Sequence, residues 1–244
     1  MTSKKKKSNS PIELQDWDVR FFRKNIARLV PGILSERVMA DALRECKKEK
    51  VDCLFARLES DVQKNVRIAE KNGFSLMSTR ASYEAEFSKT REVTIAVRLA
   101  ERADVPTLRR MARTLSRESR FSRDPVVGVR KAERLYEAWI ESLLSDHRLS
   151  GHVMIATIDE KAVGFFASSE KGPLVHIELI FVDEQFRGRS IGRGLLQACI
   201  NTYVQRGFHR YVVATQGSNV PAQRLYQSFG FKITKMELDY HKWF

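Results

Sequence analysis

The chain has 244 residues, of which 43% are hydrophobic, and it carries a formal net charge of +13. This length accommodates two small α/β units, and the hydrophobic content suffices for packed cores. No apolar run approaches the ~20 residues that span a bilayer, and the three cysteines (Cys46, Cys53 and Cys199) show no metal-ligand spacing and no disulfide framework. These features argue against membrane-spanning, disulfide-rich secreted and zinc-site proteins, and they predict a cytoplasmic protein without a metal.

The first part of the chain is predicted to be a basic tail followed by a small domain. Residues 1–10 consist largely of Ser, Lys and Asn and include the run Lys4–Lys7, so a disordered tail is expected. No apolar stretch follows this run, which is therefore not typical of a secretion signal. Residues 11–88 form the predicted N-terminal domain, which ends in a strand over 81–87.

A weak internal repeat links this domain to the end of the chain. Asp52–Arg57 predicts a strand, and a polar turn and a helix lead from it to Asn72-Gly-Phe74. Arg210–Thr215 starts the same series, which ends at Gly230-Phe231. The second copy has Tyr226 four residues before its glycine, where the first copy has Ala69. The N-terminal domain is therefore interpreted as a truncated, catalytically silent version of the C-terminal one.

The predicted second domain covers residues 93–244 and starts after a polar linker. An alternating strand over 93–99 is followed by a helix that contains Leu115 and by a loop over 122–129. A second amphipathic helix is predicted over 131–144, and a hairpin over 152–168. The series of strands and helices predicts an α/β (α+β) domain with a mixed, mostly antiparallel sheet.

The strongest local signal is a buried strand that leads into a turn rich in glycine and arginine. An apolar run over 177–182 is interrupted only by Glu178, and Arg187-Gly-Arg-Ser-Ile-Gly192 follows. Glycines permit a tight turn, and a helix that starts there directs free N–H groups and the positive end of its dipole at one spot. This arrangement favours a pyrophosphate. The alternative is that the glycines only mark a turn and the arginines only form a solvated face.

A second signal comes from the helix predicted between Asn219 and Gly230. Asn219, Ala222 and Tyr226 have spacings of three and four, so they share one face of that helix. The face presents an amide, a gap beside a small side chain, and a phenol. The alternative for Tyr226 is a core aromatic on an amphipathic helix.

Together the two segments resemble the acetyl-CoA-binding motifs of the GNAT N-acetyltransferase superfamily. The first is similar to the pattern Gln/Arg-x-x-Gly-x-Gly/Ala, with Ser190 at a position where the family usually has glycine. The second is similar to Asn-x-x-Ala-x-x-x-Tyr-x-x-x-Gly-Phe. The resemblance implies a GNAT fold, acetyl-CoA as co-substrate, and Tyr226 as the acid that protonates the leaving thiolate. The cofactor-binding residues that it implies are Ile180, Phe181, Val182, Arg187, Gly188, Arg189, Ser190, Ile191, Gly192, Arg193, Gly194, Asn219, Ala222 and Tyr226.

A narrower resemblance covers most of the chain and concerns the TDP-fucosamine acetyltransferase family. It rests on Trp17-Asp-Val-Arg-Phe-Phe22, Asp52-Cys-Leu, Ser119-Arg-Phe-Ser122, Tyr136-Glu-Ala-Trp-Ile140 and Val213-Ala-Thr-Gln-Gly-Ser-Asn219. Members of that family combine a degenerate N-terminal half with a catalytic C-terminal half. The resemblance implies acetylation of a nucleotide-linked 4-amino-4,6-dideoxy sugar for surface polysaccharide synthesis.

Candidate catalytic and acceptor residues complete the prediction. Backbone N–H groups near Ile180–Val182 are expected to stabilise the oxyanion. Glu178 is a candidate base and acceptor ligand, unless it points to solvent or pairs with an arginine; His176 is a second candidate base. Arg120 and Phe121 are predicted to bind the acceptor through its phosphates and base, the alternative being a polar loop rim.

Other partners and functions stay open at this point. The positive charge suits acidic small ligands, and nucleic acid is an unlikely partner because no binding module is recognisable. A homodimer is considered because the strand over Lys232–Tyr240 is expected to be exposed. Two alternative functions remain: acetylation of a protein, a peptide or a small amine, and non-catalytic CoA binding.

Overall fold

The computed structural model describes residues 10–30, 34–145 and 153–244, so the predicted basic tail lies almost entirely outside the described residues. Within these ranges the chain forms two compact units. The first unit comprises the residues up to Thr79 together with Met236–Phe244, and the second unit is Arg80–Lys235. No helix in the described ranges is long and apolar enough to cross a membrane.

The first unit contains a small mixed sheet. Its helices and strands up to the unit boundary are β1 (Ile12–Leu14), α1 (Asp16–Phe22), β2 (Ile26–Leu29), α2 (Glu36–Lys48), β3 (Cys53–Glu59), α3 (Gln63–Lys71) and the start of β4 (Ser75–Glu86). β1 and β3 flank β2, the first antiparallel and the second parallel to it. The C-terminal part of β10 (Lys232–Trp243) pairs antiparallel with β3. One sheet face is covered by apolar side chains that include Met39, Ala42 and Ile68 from α2 and α3.

The second unit contains the larger sheet, in the order β4-β9-β8-β7-β6-β5. Its further elements are β5 (Ala96–Leu99), α4 (Val105–Ser116), α5 (Arg120–Arg123), α6 (Gly128–Ser145), β6 (Val153–Ile158), β7 (Lys161–Lys171), β8 (Leu174–Val182), α7 (Ile191–Val204), β9 (Arg210–Gln216) and α8 (Val220–Ser228). All neighbouring strands are antiparallel except β8 and β9. The predicted mixed, mostly antiparallel sheet is therefore confirmed.

The core of the second unit lies between the sheet and α7. Leu195, Cys199 and Tyr203 of α7 are buried against Val175 and Ile177 of β8. The helices α4 and α6 pack together, and the buried carboxylate of Glu137 on α6 binds Arg109, at 2.8 Å, and Arg113 of α4. A carboxylate with two guanidinium partners fixes these two helices relative to each other.

The boundary between the units differs from the one expected at residues 88–93. The chain divides within β4 and within β10, because Arg80–Glu86 pairs with β9 and Glu237–Trp243 pairs with β3. This pairing also corrects the expectation of an open edge over Lys232–Tyr240. Residues 237–240 have β3 as their hydrogen-bonded neighbour along one edge, so this edge is not open to a second copy of the chain.

The two copies of the internal repeat end in the same local geometry. Gly73 and Gly230 have positive φ angles of 78° and 91°. The N–H of Phe74 donates to the carbonyl of Ala69 at 3.1 Å, and that of Phe231 donates to the carbonyl of Tyr226 at 3.1 Å. These are the 6→1 bonds of a Schellman cap. Each cap ends a helix that follows a strand with a parallel neighbour.

The strand that leads to the predicted cofactor turn contains a β-bulge. Ile177 of β8 lies opposite Ser168 of β7, but Leu179 lies opposite Ala167, so Glu178 is the extra residue. A bulge of this kind reverses the faces of the residues beyond it. Val175 and Ile177 face α7 before the bulge, and Ile180 and Val182 face it afterwards. The parallel pairing with β9 ends at Ile177 and Val213, so the two strands separate just where the bulge occurs.

Candidate active site

Two clefts open on the second unit where β8 and β9 separate. The turn cleft has a volume of about 700 Å³ and lies among the end of β8, the turn before α7 and the start of α8. The strand cleft has a volume of about 420 Å³ and lies over β4, β9 and β8. Both clefts are lined by Leu115, Ile180, Gln216, Asn219 and Ala222. This shared stretch, the junction, is where a ligand in one cleft can touch a ligand in the other.

Most of the predicted cofactor residues line the turn cleft. They are Ile180, Phe181, Val182, Arg187, Gly188, Ser190, Ile191, Gly192, Arg193, Asn219 and Ala222. Arg189 is exposed, and its guanidinium lies 5.5 Å from the ring of Phe186. Arg189 and Gly194 are not among the cleft-lining residues, and Tyr226 lines the strand cleft instead.

The turn before α7 has the backbone conformation that an anion site requires. Gly188 has a φ of 76°, and Ser190, the residue before the helix, has a left-handed conformation with a φ of 58°. The first intrahelical bond runs from the N–H of Gly194 to the carbonyl of Ser190 at 3.0 Å. The amides of the first helical turn therefore have no partner within the helix, and the helix dipole adds positive potential beside them.

Gly192 and Gly194 of α7 have different surroundings. A Cβ on Gly192 would lie 3.5 Å from Leu225 and 3.7 Å from Val182, which are ordinary contact distances. A Cβ on Gly194 would lie 2.4 Å from Ile95, so this glycine permits close packing of α7 in the core. Gly194 was predicted as a cofactor residue, but its Cα faces Ile95.

The arginines at the rim of the turn cleft are held by neighbouring groups. Arg187 donates from Nε to the carbonyl of Val182 at 3.2 Å, and its guanidinium lies 3.5 Å from Glu184. Arg193 donates to Ser228 Oγ at 2.9 Å. Each guanidinium carries five N–H donors, so both keep further donors for an anion.

The start of α8 is organised by Asn219. Its side-chain oxygen accepts the N–H of Ala222 at 3.3 Å, and its Nδ2 donates to Thr215 Oγ1 at 3.1 Å. Asn219 is thus the N-cap of α8. Arg123 of α5 donates to Ser218 Oγ at 2.9 Å and supports the same turn from the other side.

Tyr226 lines the strand cleft as a buried residue. Only 3% of its surface is exposed, and its ring centroid lies 5.8 Å from that of Tyr83. Burial, with a smaller contribution from Tyr83, raises the pKa of the Tyr226 hydroxyl well above its usual value of 10. The phenol therefore keeps its proton at neutral pH.

Glu178 and His176 also line the strand cleft. Ser169 Oγ donates to Glu178 Oε1 at 2.5 Å, and Lys171 Nζ lies 3.2 Å from the same oxygen. Burial lowers the pKa of His176 below 6.5, and the positive charges of Lys171 and Arg80 outweigh the opposite effect of Glu178. At neutral pH the imidazole of His176 is thus neutral, and Lys171 is the ionic partner of Glu178.

Comparisons with known proteins place the chain in a family. The sequence model of the acetyltransferase (GNAT) family matches residues 111–231. An aminoglycoside N(6')-acetyltransferase type 1 of Salmonella typhimurium is 30% identical over 111 residues, which are 42% of this chain and 74% of that protein. The chain belongs to the GNAT acetyltransferase family. It is accordingly an N-acetyltransferase that depends on acetyl-CoA.

This GNAT chain also resembles a second curated protein and a solved structure, both at lower identity. The spore coat polysaccharide biosynthesis protein SpsD of Bacillus subtilis is 24% identical over 143 residues, 59% of this chain and about half (49%) of SpsD. A GCN5-related N-acetyltransferase from Sphaerobacter thermophilus superposes with a TM-score of 0.66 at 15% identity, covering 95% of this chain and 76% of that one. At this identity the structural match concerns the fold alone.

The predicted acceptor residues of this GNAT chain are not part of the lining of either cleft. Arg120 and Phe121 form part of the short helix α5, where the guanidinium lies 4.5 Å from the phenyl ring. Neither residue is among those that line the turn cleft or the strand cleft. The structure thus brings Glu178 and Tyr226 together in one cleft but does not bring Arg120 and Phe121 to it.

Other residues that line the strand cleft were missed in the sequence. Tyr136 and Trp139 of α6 form an aromatic pair, with ring centroids 5.4 Å apart, and both line the cleft. Trp139 lies on the apolar stripe of the predicted helix, and only its partial exposure distinguishes it from the buried residues of that stripe. Arg80 and Glu84 of β4 and Lys235 of β10 line the cleft too. These come from strands distant in sequence, so no local pattern could assign them.

Proposed function

We propose that the protein transfers an acetyl group from acetyl-CoA to the amino group of a nucleotide-linked amino-deoxy sugar, of the TDP-4-amino-4,6-dideoxyhexose type, for surface polysaccharide synthesis in the cytoplasm. The turn cleft holds acetyl-CoA, and the strand cleft holds the acceptor amine. The observation that carries this proposal is the junction. The two clefts meet at five residues, of which Ile180, Asn219 and Ala222 belong to the predicted cofactor site. The protonated Tyr226 lines the cleft on the acceptor side.

The residues of the turn cleft fit the cofactor. Its pyrophosphate requires N–H donors around a helix start, together with positive charge. The first turn of α7, the left-handed Ser190 and the rim residues Arg187 and Arg193 supply this chemistry. Ile180, Asn219 and Ala222, which line the same cleft, would hold the pantetheine arm.

The mechanism is direct transfer in a ternary complex. The backbone of β8 beyond the bulge has lost its β9 neighbour, so N–H groups in Ile180–Val182 stabilise the oxyanion. Tyr226 donates its proton to the departing thiolate. A covalent intermediate on Cys199 is disfavoured because this thiol is fully buried, and burial raises its pKa to about 12.

Glu178 is the proposed base that takes the proton from the attacking amine. Ser169 and Lys171 hold one of its carboxylate oxygens in the strand cleft. His176 is the alternative base, favoured by its neutral state at pH 7. If Glu178→Gln retains turnover and His176→Gln loses it, His176 is the base.

The chemistry of the strand cleft supports an amino sugar over a polycationic acceptor. Arg80 and Lys235 balance Glu84 and Glu178 along its walls, and Glu178 also has Lys171 beside it. An aminoglycoside carries several positive charges and favours an acidic cleft, so the acceptor named for the Salmonella relative suits this one poorly. Trp139 and Tyr136 offer flat apolar surfaces to a sugar ring. SpsD is named for polysaccharide biosynthesis, which agrees with an acceptor of this class.

The N-terminal half is proposed to be a truncated GNAT-like domain without catalytic activity. Its repeat has the same cap geometry, but buried Ala69 stands where Tyr226 stands in the other copy. A proton donor is therefore missing at the corresponding position.

The experiment that tests the proposed function measures acetyl-CoA consumption by the full chain against a panel of amines. The panel contains TDP-, UDP- and GDP-linked amino sugars, lysine peptides, aminoglycosides and polyamines. Turnover with nucleotide-linked amino sugars alone is expected. Turnover with peptides alone would replace the acceptor class, and acetyl-CoA binding without turnover on any amine would favour a non-catalytic CoA-binding module.

A further inference from the structure

The junction between the clefts is where the acyl group must lie during transfer. A thioester in the turn cleft and an amine in the strand cleft can meet only at the residues that line both. The size of this space therefore limits the acyl group as well as the approach of the amine. This argument rests on the proposed function.

Most of the junction is fixed by backbone or by hydrogen bonds. The side-chain amide of Asn219 makes two hydrogen bonds: its oxygen accepts the N–H of Ala222, and its Nδ2 donates to Thr215 Oγ1. Ala222 has only a methyl group. Ile180 lies in register with Phe166 of β7, directly after the bulge that positions the oxyanion amides. Changes at these positions would disturb the turn or the strand together with the space.

Leu115 differs from these residues because it lies on α4, outside both the α8 turn and β8. It lies one residue before the end of α4, and that helix is anchored to α6 by the ion pairs of Arg109 and Arg113 with Glu137. Leu115 is half-buried, so its truncation leaves these anchors intact. Its four-carbon side chain is the largest removable volume at the junction apart from Ile180.

We propose that Leu115 determines the acyl-chain specificity of the enzyme by closing the junction behind an acetyl group. Each methylene that a pocket accommodates or excludes changes specificity by about 10- to 200-fold. Leu→Ala removes three carbons, and a butyryl group is two carbons longer than an acetyl group. The space freed at Leu115 is therefore sufficient for the longer chain.

The test compares the binding of acetyl-CoA and butyryl-CoA to the full chain by calorimetry. Such binding requires no acceptor, so it does not depend on the identity of the amine. Leu115→Ala is expected to raise the ratio of butyryl-CoA to acetyl-CoA affinity at least about tenfold. The matched control is Leu99→Ala, because Leu99 is an exposed leucine on β5 and lines neither cleft. Leu115→Val, with a smaller expected change in the same direction, replaces Leu115→Ala if that variant does not fold.

The outcomes separate the two proposals. An affinity ratio that stays at the wild-type value in folded Leu115 variants, with both thioesters still bound, overturns the role of Leu115 alone. A wild-type protein that binds neither thioester overturns the proposed function and this inference with it. A raised ratio in the Leu115 variants but not in Leu99→Ala supports the assignment.

Discussion

At the scale of single residues, Tyr226 combines burial with a hydroxyl that faces a cleft. Among the described residues, none forms a hydrogen bond with this hydroxyl. Tyr226→Phe therefore removes the proposed acid at little cost in stability, and kcat should fall by about 10²- to 10⁴-fold. Since Tyr226 lines the strand cleft, the Kd for acetyl-CoA should stay close to the wild-type value.

Tyr211→Phe is the matched control for this prediction. Tyr211 is also a buried tyrosine, but its hydroxyl donates to the carbonyl of Ile200 at 2.9 Å in the core. Its loss should lower the free energy of unfolding by about 1 kcal/mol and leave kcat unchanged. Steady-state kinetics and denaturant melts separate the two effects; unchanged turnover in Tyr226→Phe would exclude it as the acid.

The glycines of α7 give a second pair of opposite expectations. Gly192→Ala fits without a clash and replaces a helical glycine, so stability should rise by up to about 1 kcal/mol. The added methyl group lies in the turn cleft, so acetyl-CoA should bind about tenfold or more weakly. Gly194→Ala meets Ile95 in the core and should cost about 1–3 kcal/mol while the Kd of the folded protein is unchanged. Thermal melts measure the stability of both variants, and calorimetry measures their affinity for acetyl-CoA. An equal loss of acetyl-CoA affinity in both would contradict this assignment.

His176 makes the stability of the protein depend on pH. Its pKa in the folded state is below 6.5, so the unfolded chain binds a proton more readily. This histidine should therefore reduce stability progressively as the pH falls below 6.5, and should have little effect above it. His176→Gln is expected to flatten that part of the profile in urea melts between pH 5 and 7.5. A variant whose profile parallels the wild type would mean that other groups cause the acid sensitivity.

At the scale of secondary-structure elements, local patterns could be predicted from the sequence, whereas the register of the strands could not. The turn before α7 and the Gly-Phe ends of both repeats follow from glycine and periodicity rules, and the sequence predicts them. The bulge at Glu178 depends on how β8 pairs with β7, which no local pattern encodes. The placement of Arg120 and Phe121 depends on the packing of α5 against α6, which no local pattern encodes, so their assignment to the acceptor stays a prediction. Both features depend on contacts between separate secondary-structure elements.

At the scale of the whole molecule, the sheet of each unit includes a strand that follows the repeat copy of the other unit. The strand that follows the first repeat, β4, supplies Arg80–Glu86 to β9, and the strand that follows the second repeat, β10, supplies Glu237–Trp243 to β3. Within the second unit, Ala81 and Tyr83 of β4 are fully buried in the core. A C-terminal domain that begins at residue 93 therefore lacks part of its own core.

The last prediction compares fragments 80–235 and 93–235, which differ only by the β4 strand and the linker. Fragment 80–235 retains the strand pairs of the second unit and should unfold cooperatively. Fragment 93–235 loses the antiparallel neighbour of β9 and the hydrogen bond from Tyr83 to Gln223 on α8, which is 3.0 Å long. It exposes an unpaired strand edge, so aggregation or a non-cooperative melt is expected. Circular dichroism melts decide the matter, because equal cooperative transitions in both fragments would show that β4 is dispensable and that the domain begins where the sequence suggested.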